Sequence, residues 1–127
     1  MRMLVAAAFL ITSSAAISSV AIPSVAMADE VDDAHKLAIT GRDAYWNCLA
    51  REYPRDSNKT MSDQEFTSLI ANVCPSERQN FRVSLIDFLS LQFPKQDADA
   101  NLTTANRAIE LAQKDIVTAF TRRKAAA

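Results

Sequence analysis

Apolar positions recur along this chain at spacings of three and four, and prolines and polar runs cut the pattern into four helical segments. The first is expected from about residue 31 to 53. Its stripe is Ala34, Leu37, Ala38, Tyr45, Cys48 and Leu49, with Trp46 beside it. Gly41 sits in mid-helix, where it weakens the helix but permits another helix to come close. The second segment, 62–74, has a well-specified start. Ser62 and Glu65 have the spacing of a capping box, and Met61 and Phe66 flank it as a hydrophobic staple. Phe66, Leu69, Ile70 and Val73 then share a face.

Pro75 opens the third segment, 75–93, since proline is tolerated in a first helical turn. Phe81, Leu85, Phe88 and Leu89 form its stripe, which Ile86, Leu91 and Phe93 widen, so this helix is expected to be the most buried. Pro94 ends it. The fourth segment, 98–124, carries Leu102, Ala105, Ile109, Ala112, Ile116 and Phe120 as an a/d seam. Small alanines in that seam favour close packing inside one chain, so a monomer is expected rather than a coiled-coil dimer. No stretch keeps strand-like alternation. The fold class is all-α: a small four-helix up-down bundle.

The N-terminus follows another pattern. Arg2 precedes the apolar run from Leu4 to Ile11, serines and alanines follow, and Ala26-Met27-Ala28 presents small residues at Ala26 and Ala28. This is the secretory pattern, with cleavage expected after residue 28. Domain organisation is therefore a signal peptide, 1–28, and one helical domain, 29–127. Localisation is expected to be exported, in a bacterial periplasm or outside the cell.

Export changes the reading of Cys48 and Cys74, the two cysteines of the chain. In an oxidising compartment an even count implies a disulfide. Closing a loop of about 27 residues contributes on the order of 3–4 kcal/mol in the chain-entropy account. Neither a C-x-x-C redox motif nor a haem motif is present, and a single histidine leaves a Cys/His metal site short of ligands. No metal and no cofactor are expected.

Charge excludes other classes. After cleavage, 13 basic and 15 acidic residues remain. That near-balance argues against a nucleic-acid binder, and against a membrane partner once the leader is gone. His35 lies three residues from Asp32, within reach of an orienting carboxylate, yet no nucleophile pairs with it. Catalytic residues are not assigned and the protein is not expected to be an enzyme. Asp87, set between Ile86 and Phe88, needs a partner only if buried. Asn58-Lys59-Thr60 and Asn101-Leu102-Thr103 match glycosylation sequons. Tyr45, Trp46 and Tyr53 cluster around Cys48 as a candidate interaction surface, because such aromatics anchor interfaces.

Trp46-Asn47-Cys48, with Cys74 and then Gln79-Asn80-Phe81, resembles the small periplasmic acid-stress chaperones, which are helical with one disulfide and a Trp-x-Cys element. The resemblance spans about 30 residues and implies chaperone activity. It departs in the shorter cysteine spacing and the long fourth helix. The leading expectation is a non-enzymatic binding or interaction module whose partner is a protein or a small apolar ligand. The alternatives are a stress chaperone-like protein or an apolar-ligand carrier.

Overall fold

Proline and capping residues set most of the helix boundaries. The computed structural model describes residues 24–126, with side chains from residue 27. Residues 1–23 of the expected signal peptide lie outside the described residues. Within them the elements are α1 (Ser24–Ala50), a 3-10 turn (Asp56–Asn58), α2 (Asp63–Asn72), α3 (Pro75–Gln92) and α4 (Ala98–Ala126), with no strand. None of these helices is long and apolar enough to cross a membrane.

Ser62 caps α2 as expected. Its Oγ accepts from the Glu65 amide at 3.2 Å, and the Glu65 carboxylate accepts from the Ser62 amide at 2.8 Å. α1, however, begins seven residues before the expected position. Asp29, Glu30, Asp32 and Asp33 therefore lie beyond its first turn, which holds no acid. They therefore gain little from the positive end of the helix dipole, because that effect fades after one turn.

The contacts fix the directions. His35 stacks near Phe88 and Cys48 is bonded to Cys74, so α3 runs antiparallel to α1. Arg82 donates to Asn106 and Asn101 to Ser90, so α4 runs antiparallel to α3. The Phe66 and Phe120 rings stack at 3.9 Å, and Lys124 donates to the Met61 carbonyl, so α2 also runs antiparallel to α4. Consequently α2 and α3 follow one another in the same direction along α4. Their 10 and 18 residues together nearly match its 29. Four helices fill three columns, and the middle column is broken once.

The break is at Cys74, the N-cap of α3, whose backbone is left-handed at φ 56°, ψ 47°. Proline at the next position disfavours right-handed α geometry here, and a non-glycine residue in this region is strained. The disulfide and the start of α3 hold it there.

The core joins all three columns through Tyr45, Leu49, Phe66, Ile70, Phe81, Ile109, Ala112, Ile116 and Phe120. Two expectations fail here. α3 is not the most buried helix: it buries Phe81 and Leu89, while Val83, Leu91 and Phe93 are exposed. Its apolar residues surround too much of the helix for one packed face to cover. α4 buries six residues, and its seam begins with Asn101 rather than Leu102, which is exposed. Leu37 of the α1 stripe is exposed as well, and so is Asp87, which therefore needs no partner.

Gly41 has the role its position suggests. A Cβ there would lie 2.8 Å from Ser84 Oγ and 3.2 Å from the Phe81 Cα, so α1 and α3 meet backbone to backbone. At the other end of α1, Glu52 and Asn58 are buried together. Asn58 Nδ2 donates to the Glu52 carbonyl at 2.9 Å and to its carboxylate at 3.1 Å. Asn101 is also buried, so neither sequon asparagine is open to a glycan in the folded chain.

Candidate functional site

Tyr45 and Trp46 are neighbours, and successive helical residues point about 100° apart. Only one of them can face the core. Tyr45 does so: it is fully buried, 6.4 Å from the Phe81 ring centroid, and its hydroxyl accepts from Gln113 Nε2 at 2.9 Å. This corrects its assignment to a surface. Trp46 points outward and is 42% exposed. Tyr53 is half-buried against the core just beyond α1. The three aromatics do not form one surface.

Cys48 and Cys74 form the expected disulfide, and no free cysteine remains. It links the last turns of α1 to the start of α3. The Glu77 carboxylate lies close to both sulfurs, all three being half-buried. With the sulfurs bonded to each other, Glu77 alone keeps a free ligand atom.

The larger opening is at the far end of α1. A cleft of about 750 Å³ is lined by Met27, Val31, His35, Phe88 and Phe93, with Asp32 on its rim. A second, of about 220 Å³, continues between α1 and α4 over Phe81, Leu85 and Phe88 as far as Arg42. The two meet at His35 and Phe88, whose rings are 4.7 Å apart. Sixteen residues of α1, Met27 to Arg42, flank the groove, a length of about 22 Å at the helical rise. Sequence reasoning missed it because Phe88 and Phe93 were assigned to a buried stripe. The signal available was the excess of apolar residues on α3 over what one face can hide.

Acids gather on α1 and α3 at this end, though of these only Asp32 lies in the groove itself and Arg42 closes its far end. Asp32 lines it, and Glu30, Asp33 and Asp87 line the adjoining face of α1 and α3 together with Leu37 and Leu91. Asp32 is held by Lys36 at 2.8 Å rather than by His35. The Lys36 ammonium keeps the Asp32 carboxyl below the usual carboxylate range, and Asp32 in turn raises the Lys36 ammonium. His35 packs its ring on Phe88 without an orienting carboxylate bond. The opposite end of the molecule carries the basic residues of the last turn of α4, Arg123 and Lys124.

Compared with known families, curated proteins and solved structures, the chain finds no match in any of the three. The likeness to acid-stress chaperones therefore stands on its few residues alone.

Proposed function

We propose that this chain is exported and acts as a non-enzymatic interaction module, receiving a basic amphipathic helix of a partner protein in the groove between α1, α3 and α4. The observation that carries this reading is the apolar groove, with Asp32 at one end and, beside it, a separate face of α1 and α3 that carries Glu30, Asp33 and Asp87. Exposed apolar patches of this kind mark docking surfaces, and in the processed chain the groove runs from Val31 to Arg42, about 16 Å, which suits the apolar face of a helix of about three turns. Asp32 and the acids on the neighbouring face favour lysine or arginine on that helix and speed its encounter. Export rests on the leader pattern, and the Cys48–Cys74 disulfide is consistent with an oxidising compartment. Cleavage after Ala28 removes Met27 and Ala28 from the cleft and leaves Val31, His35, Phe88 and Phe93 in place.

The test is a titration of the processed chain with an 18-residue Leu/Lys amphipathic helix, its Leu/Glu counterpart and a long-chain fatty acid, followed by amide NMR shifts. The basic peptide is expected to bind at Val31, His35 and Phe88, more weakly as salt screens the acids. Phe93→Asp is expected to abolish binding without unfolding, since Phe93 is 48% exposed. Equal binding of the acidic peptide, or shifts elsewhere, would overturn the reading. Tight fatty-acid binding that excludes the peptide would favour an apolar-ligand carrier instead.

A further inference from the structure

At the opposite end, a smaller and more enclosed cavity of about 150 Å³ is lined by Tyr53, Lys59, Phe120, Arg123 and Lys124. Its wall is aromatic. Phe120 is stacked on Phe66 and so held in one orientation, and Tyr53 packs on the same core. Its rim is cationic. Lys124 Nζ lies 5.6 Å from the Phe120 ring centroid and donates to the Met61 carbonyl at 2.8 Å, which fixes the ammonium over the ring. Lys59 pairs with Asp56 at 2.8 Å. Arg123 makes no hydrogen bond or ion pair among the described residues, although its charge helps to lower the Asp56 carboxyl. Three cations thus face one paired carboxylate around a cavity with an apolar wall.

Dimensions select the occupant. A cavity of about 150 Å³ is the size that takes a single benzene ring. Arg123 offers a planar fork suited to two carboxylate oxygens. We infer that this cavity is a binding site for a small aromatic carboxylate, its ring against Tyr53 and the small exposed part of Phe120 and its carboxylate between Arg123, Lys59 and Lys124. This site is remote from the proposed helix-binding groove and independent of it.

The experiment is an amide NMR titration of the folded chain with benzoate, benzyl alcohol, acetate and inorganic phosphate. Benzoate is expected to shift Lys59, Phe120 and Arg123 and to saturate with a Kd of about 1–10 mM, the range for so small a ligand. Benzyl alcohol lacks the charge, and acetate and phosphate lack the ring, so each should bind at least about tenfold more weakly. Arg123→Gln, at an exposed position, should lower benzoate affinity by about tenfold while leaving benzyl alcohol binding and the melting temperature unchanged. If benzoate binds no better than benzyl alcohol or phosphate, or if Arg123→Gln leaves it unaffected, the inference is overturned.

Discussion

The two ends of this bundle are built from different material. The five largest fully buried side chains, Tyr45, Phe66, Leu49, Ile70 and Ile116, all lie toward the end where α2 packs on the C-terminal half of α4. There the three columns interdigitate large residues and the disulfide stands alongside. At the other end the contact between α1 and α3 is made through Ala34, Ala38 and Gly41, and the large residues Leu37, Leu91 and Phe93 are exposed. Small residues bring two helices so close that their bulky neighbours are pushed outward. One end spends its apolar residues on cohesion; the other presents them to solvent.

The largest expected effects separate the ends directly. Phe66→Ala should destabilise the chain by about 3–5 kcal/mol, whereas Leu37→Ala, at a position 64% exposed, should change stability by less than about 0.5 kcal/mol. Urea unfolding measures both, and similar values would erase the contrast. Removing the disulfide with a Cys48→Ser, Cys74→Ser pair should cost about 3–4 kcal/mol. It should also raise hydrogen exchange first around the strained Cys74 junction.

Gly41→Ala sharpens the account of the close approach. The methyl group would meet Ser84 Oγ and the Phe81 backbone, so despite a helix-propensity gain of about 1 kcal/mol a net loss of about 1–2 kcal/mol is expected. Adding Ser84→Ala should restore part of it, as thermal melts would read.

The smallest effect concerns pH. Asp32 and Asp56 are lowered by Lys36 and Lys59 respectively. A carboxylate with a depressed folded-state pKa contributes stability above its ordinary value, and that contribution disappears as pH falls through the lowered one. Both pairs are exposed, so the loss in acid should be slight and should vanish in high salt. A salt-independent loss would point to a buried group instead.

Local chemistry made much of this legible in advance. The start of α2 follows from Ser62 and Glu65, the start of α3 from Pro75, and the disulfide from there being two cysteines. What stayed hidden depends on which face meets a partner. The sequence around Leu91 and Phe93 is apolar whether covered or bare. Asn101 entered the α4 seam because the facing column presents Ser90 there, which no periodicity of α4 reveals. The stripe of α1 set Tyr45 inward and Trp46 beside it, but the bond from Gln113 to the Tyr45 hydroxyl depends on where α4 lies. The early start of α1 was missed because residues 24–28 were read as leader.

That early start bears on the proposed processing of the chain. Ala26 and Ala28 lie within helical backbone, whereas a processing peptidase reads its substrate as extended chain. Met27 and Ala28 are both exposed, so burial of these two side chains does not hold the helix at this point. If the chain is processed after Ala28 as proposed, Asp29 and Glu30 would stand in the first turn of a shortened α1. Acids that lie past the first turn of the present helix would then sit where the helix dipole favours them.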